Sequence, residues 1–142
     1  MLSPSYRSAI TQGKGYRILR QSVSDTLERF NITMPEWTLL ALVDEHKTMR
    51  QNAIALALGI DAPLVTVLIR QLEDKKLITV EADPSDNRAK NITVTKEGIN
   101  LLPSIETSVQ INLEPLMQGI AISDVKAYFR LLEMVIINSE QL

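Results

Sequence analysis

Apolar residues recur every three to four positions along most of this chain, and every second position in one stretch near its middle. The first period belongs to amphipathic helix and the second to half-buried strand. From Ser5 to Phe30 the helical spacing runs through Ile10, Leu19, Val23, Leu27 and Phe30. Gly13 and Gly15 weaken its first half, because glycine costs about 1 kcal/mol against alanine inside a helix. Asn31 and Ile32 interrupt the pattern. Thr33, Pro35 and Glu36 then form a helix start: a capping threonine, a first-turn proline, and a glutamate three residues after the cap. Trp37, Leu40, Leu42 and Val43 carry that helix to His46, and a polar stretch, Lys47 to Arg50, follows.

A third helix with Ile54, Leu56 and Leu58 stops at Gly59. Asp61 predicts the N-cap of a fourth, whose stripe is Leu64, Val65, Leu68, Ile69 and Leu72 and whose last residues are Asp74 to Lys76. From Leu77 the period changes to two. Ile78, Val80 and Ala82 alternate with Thr79, Glu81 and Asp83, and Ile92 and Val94 do the same after the polar loop PSDNRAK, which predicts a β-hairpin. Thr95 caps a long helix through Ile99, Ile105, Val109 and Leu113, bent or broken near Pro103 and ended by Gly119. Ser123 caps the last helix, through Val125, Tyr128, Leu132 and Val135.

The pattern therefore predicts a mainly α chain with a small β-hairpin wing. A short helix, the turn Gly59-Ile60-Asp61 and a second helix form a helix-turn-helix, an arrangement whose second helix enters the DNA major groove in DNA-binding proteins. The hairpin directly after it points to a winged helix. We expect one domain over 1–142. Within it, 34–98 is the winged helix-turn-helix unit, and 1–30 and 99–142 are helical regions too apolar for one small domain to cover, as at a subunit interface.

Composition narrows the chemistry. The 142 residues include no cysteine and one histidine, His46. Disulfide frameworks, thiolate metal sites, iron–sulfur clusters and thiol nucleophiles are excluded, as is a multi-histidine metal site within one chain. No GxSxG or glycine-rich phosphate loop occurs, and Glu73 and Asp74 are sequence neighbours that do not face each other on a helix. We expect no enzyme, no catalytic residue, no metal and no cofactor. With no long apolar run and no secretory leader, the expected location is the cytoplasm. The net charge of −2 lacks the global basicity common in nucleic-acid binders. Between Asp61 and Asn100, six basic residues stand against seven acidic ones, so any DNA contact has to be local.

The run LVTVLIRQLEDKKLITVEADPSDNRAKNITVTKEG, through Leu72-Glu73, the pair Asp86 and Arg88, and Thr95 with Gly98, resembles the MarR family of bacterial transcription regulators. The layout of the flanking helices extends the resemblance over nearly the whole chain. The resemblance implies a homodimer joined by the terminal helices, a fourth helix in the major groove and a wing reaching the minor groove. On the fourth helix the candidates are Pro63, Thr66, Arg70 and Gln71. Where relatives commonly carry Ser, Thr or Arg, this chain has Leu64 and Val67, which suits thymine methyls or weak binding. In the wing, Arg88 at the hairpin tip would enter a narrow minor groove. Asp86 would hold it by accepting backbone N–H groups or the Arg88 side chain, with Asn87 and Lys90 on phosphates. The alternative for Asp86 and Arg88 is a solvated loop ion pair. Arg50, at the start of the third helix, is a further phosphate candidate.

The resemblance also implies an effector pocket between the dimer helices and the winged helix. Its candidate lining is Tyr16, Arg17, Arg20, Met34, Trp37 and Ile54, with an arginine pairing a carboxylate. The alternative for Met34 and Trp37 is ordinary core. The implied function is a dimeric, sequence-specific regulator of transcription. It would act on a pseudo-palindromic double-stranded operator, as a repressor relieved by a small aromatic or anionic ligand. The alternative is a winged-helix dimer with weakened DNA reading that serves as a protein-interaction module.

Overall fold

The computed structural model describes residues 5–142. Residues 1–4, which begin the expected 1–30 segment and the stretch read as lacking a leader, lie outside them. The elements run α1 (Ser5–Glu28), α2 (Met34–His46), β1 (Thr48–Arg50), α3 (Gln51–Leu58), α4 (Ala62–Asp74), β2 (Ile78–Asp83), β3 (Asp86–Val94), α5 (Lys96–Met117) and α6 (Ile122–Glu140). No single helix among the described residues is long and apolar enough to cross a membrane.

The local signals act as their chemistry requires. The Glu36 N–H donates to Thr33 Oγ1 at 3.3 Å and the Thr33 N–H donates to Glu36 Oε1 at 2.8 Å, closing a capping box at the start of α2. The Leu64 N–H donates to Asp61 Oδ1 at 2.8 Å, capping α4. Gly59 ends α3 at φ 65°, the left-handed region where a side chain is strained. Between these two caps the chain bends by 112°, as a helix-turn-helix does. At the end of α4 the left-handed position is taken by Lys76, at φ 61°.

Four sequence expectations are corrected. Lys47 to Arg50 is not merely a polar link: Thr48–Arg50 is β1, which pairs antiparallel with β3 and makes the hairpin a three-stranded sheet of order β1-β3-β2. The long loop PSDNRAK is a two-residue turn, Pro84-Ser85, with β3 starting at Asp86. No break falls at Pro103, since α5 is continuous through it. Ser123 is not the cap of α6; Ala121 is, with no side-chain hydrogen bond.

The described chain divides into two compact units, the first ending at Asn112 and the second Leu113–Leu142. The first holds the core. Leu39, Leu40 and Val43 of α2, Ile54 of α3, and Val65, Leu68 and Leu72 of α4 meet Ile78, Ile92 and Val94 of the sheet, all buried. A Cβ on Gly98 would stand 2.5 Å from Val94 Cγ1 and 2.6 Å from the Leu77 carbonyl, so only glycine lets α5 start so close to the wing. Thr95 supports the same junction: its hydroxyl donates to the Lys76 carbonyl at 2.8 Å and accepts the Gly98 N–H at 3.2 Å. In the second unit, α6 buries no residue and exposes Ile122, Phe129, Leu131, Met134, Val135 and Ile136.

Candidate nucleic-acid interface

The wing is anchored before it can point. Asp83 closes β2, and its Oδ1 accepts from the Ser85 hydroxyl at 2.7 Å and the Ser85 N–H at 2.9 Å, folding the Pro84-Ser85 turn. Its Oδ2 accepts from Arg50 Nη2 at 2.6 Å and Nε at 3.1 Å. These hydrogen bonds, those of Ser85 first and of Arg50 next, hold the Asp83 carboxyl well below its ordinary 3.8, at about 2. Arg50 is also the backbone N-cap of α3. One carboxylate therefore ties the turn of the wing to the first turn of the helix-turn-helix.

Arg88 does not occupy the hairpin tip. It lies in β3, just past the turn, where the register with β2 shifts between Ala82 and Asp83. Such a bulge breaks the ladder and re-aims side chains. The Arg88 N–H donates to Asp86 Oδ1 at 3.0 Å, so Asp86 holds the wing through the backbone. The described residues contain two side-chain ion pairs, Arg50–Asp83 and Lys75–Glu36, and Arg88–Asp86 is neither. Arg88, Asn87 and Lys90 are exposed.

Arg88 and Lys90, but not Asn87, line a groove of about 450 Å³. Arg50, Gln51, Asn52 and Ala62 line one side, and Asp86, Arg88, Ala89 and Lys90 the other. Of the expected contacts, Arg50, Asp86, Arg88 and Lys90 thus share one concave surface, and Ala62 joins it to the start of α4. The guanidinium of Arg50 is engaged by Asp83 instead of facing outward alone. Pro63, Thr66, Arg70 and Gln71 are exposed on α4. The Thr66 hydroxyl is taken: it accepts from Gln51 Nε2 at 2.7 Å and donates to the Ala62 carbonyl at 3.1 Å. Sequence reasoning missed Gln51, Asn52 and Asp83; for Asp83 the run Asp-Pro-Ser, an Asx-turn pattern, carries the signal.

The expected effector residues do not form one pocket. Arg20 and Met34 line a groove of about 470 Å³ with Asn31, Thr33, Pro35 and Lys75. Tyr16 is exposed beside it, its ring 5.9 Å from the Arg20 guanidinium carbon. Arg17 is exposed and lines neither groove. Trp37 lines a different groove with Asp44, Pro103 and Glu106. Ile54 is fully buried core. Lys75, which the sequence marks only as a helix end, is the unforeseen member. Its Nζ donates to the Asn31 carbonyl at 2.7 Å and to Glu36 Oε1 at 3.0 Å, tying α4 to the start of α2. Burial opposes ionisation of Glu36, but the Thr33 N–H and Lys75 outweigh it, leaving its carboxyl below the ordinary value.

Comparison with known proteins fits this geometry. Residues 32–90 match the model of the MarR family. A MarR-family transcriptional regulator from Rhodococcus sp. RHA1 superposes with a TM-score of 0.83 at 20% identity, covering 95% of this chain and 96% of that one. MepR of S. aureus, solved with DNA, gives 0.76 at 27% identity over 97% and 99%. CouR of Rhodococcus jostii RHA1, solved with p-coumaroyl-CoA, gives 0.80 at 20% identity over 89% of each chain.

Proposed function

From the premise that this chain carries a MarR-family winged helix over residues 32–90, we propose that it is a dimeric, sequence-specific regulator of transcription that binds double-stranded DNA. The observation that carries the reading is the groove between α3 and the wing, where exposed Arg88 and Lys90 face the start of α4. A duplex bound there would take α4 into the major groove and Arg88 into the adjacent minor groove, where a narrow groove concentrates negative potential. Asp83 and Arg50 would act beneath the contact by holding the wing. A dimer formed through the apolar faces of α1 and α6 would present two α4 helices to half-sites about 34–36 Å apart.

Arg20 and Lys75, which line one groove together with Glu28, are the cations that would pair a small anionic ligand there. Lys75 is the C-cap residue of α4 and holds the loop before α2. A carboxylate competing for it would alter how α4 is held, and differential affinity for two such states would shift the population away from the DNA-binding one. CouR, a protein of the same fold, was solved with a small ligand bound, and ligand-relieved repression is the regulatory mode we propose here. A second reading, a protein-interaction module, is favoured by the 85% exposure of Leu56 on α3 and by the apolar outer face of α4.

Fluorescence anisotropy against DNA from upstream of the chain's own gene, over a salt series, tests the proposal. Binding should weaken as salt rises. Arg88→Ala should cost about 1–3 kcal/mol of binding and lower the salt slope by about one, with dimerisation unchanged. Absence of salt-dependent binding to any fragment, with a protein partner recovered instead, would favour the second reading.

A further inference from the structure

We propose that α4 reads thymine C5-methyl groups, so that the DNA beneath its first two turns is A·T-rich; this rests on the DNA-binding reading above. The residues from Ala62 to Val67 hold no unspent side-chain donor. Ala62, Pro63, Leu64, Val65 and Val67 have none, and the Thr66 hydroxyl proton goes to the Ala62 carbonyl. On α3, Gln51 commits one amide N–H to the Thr66 hydroxyl oxygen. Yet the surface is open: Leu64 is 40% and Val67 47% exposed, and Pro63 and Thr66 are exposed beside them. Val65, Leu68, Ile69 and Leu72 fill the buried side of the same helix, so Leu64 and Val67 are not needed by the core. The first side-chain donors with no partner among the described residues are on Arg70 and Gln71, two turns along.

The occupant follows from what adjoins this face. Ala62 is both the first residue of α4 and a wall of the groove that holds Arg88 and Lys90. The apolar face thus continues directly into a basic one, which suits a polyanion that also offers apolar surface. In duplex DNA that surface is the thymine methyl, the one apolar group displayed in the major groove. A G·C pair in the same place presents N7, O6 and N4 where an A·T pair presents N7, N6 and O4, so the polar groups facing this surface are equal in number and the C5-methyl is what favours A·T.

The test starts from duplexes selected from a random library by the full chain. Each is resynthesised with deoxyuridine for thymidine, which removes the C5-methyl and leaves every hydrogen-bonding edge intact. Affinity should fall about fourfold for each contacted methyl, the loss expected from exposing one methyl-sized apolar group. Val67→Ser, with folding checked by circular dichroism, should bind thymidine and deoxyuridine duplexes more nearly alike. Arg88→Ala should weaken both and preserve their ratio. Selected duplexes bound equally with either base, or sites rich in G·C beneath α4, would overturn the inference while leaving DNA binding standing. A library that yields no bound duplex would overturn both readings and hand this face to a protein partner.

Discussion

Helices α4 and α6 carry similar apolar patterns and meet opposite fates. Within 13 residues, α4 buries Val65, Leu68, Ile69 and Leu72. Over 19 residues α6 buries none, although Phe129, Leu131, Met134, Val135 and Ile136 lie along it. The difference is one of available surface. The stripe of α4 is met within its own unit by α2, α3 and the sheet, while no residue of α6 is buried. Apolar surface left open on such a scale marks an interaction face, and under the proposed dimer a second copy covers it. Apolar spacing on a helix therefore reports that its surface wants burial, not where the burial comes from.

The sharpest way to break this contrast is to remove apolar volume from the enclosed stripe. Leu72→Ala, at a fully buried position, should destabilise the chain by about 2–5 kcal/mol, read by chemical denaturation. A charge in the open stripe should act elsewhere. Val135→Asp should weaken self-association by at least about tenfold, or about 1.4 kcal/mol, in sedimentation equilibrium, with the secondary structure of the monomer kept. Unchanged association would remove α6 from the interface.

A smaller effect probes how α4 ends. Lys76 sits at φ 61°, where a side chain costs roughly 1 kcal/mol or more. Lys76→Gly should therefore raise stability by about 1 kcal/mol, read as a shift in the denaturation midpoint. The smallest effect is local to the wing that follows. Asp83 has a folded pKa of about 2 against an ordinary 3.8. A depressed carboxyl stabilises the fold above its ordinary value and ceases to do so as pH falls through the folded one. The carboxyl carbon signal of Asp83 in NMR should titrate near pH 2, and the Pro84-Ser85 turn should loosen in the same window. Asp83→Asn should loosen it already at neutral pH.

The parts legible in the sequence are those whose partners lie close along the chain. Thr33 with Glu36, Asp61 with the Leu64 N–H, and Gly59 in its turn are each settled within a few residues, so side-chain chemistry and spacing suffice. Likewise the winged helix itself was legible, because the change from period 3.6 to period 2 at Leu77 is local. Misreadings gathered in the wing. A three-residue strand such as β1 has too few positions to display a period, and it exists because β3 lies beside it. Polar composition marks a turn without fixing which two residues make it, so it points to a tip at Arg88 where Pro84 and Ser85 form the turn.

What the sequence determined by itself is the set of helices, their caps and the demand of each apolar stripe for cover, since these depend on residues one or two turns apart. Tertiary structure alone decided that Arg50 meets Asp83 across 33 residues and that Lys75 meets Glu36 across 39. It also decided that Arg20 and Met34 line one groove and Trp37 another, while Ile54 went to the core. Charges of opposite sign are plentiful along the chain, and only the packing of helices and strands against one core brings particular pairs within hydrogen-bonding distance.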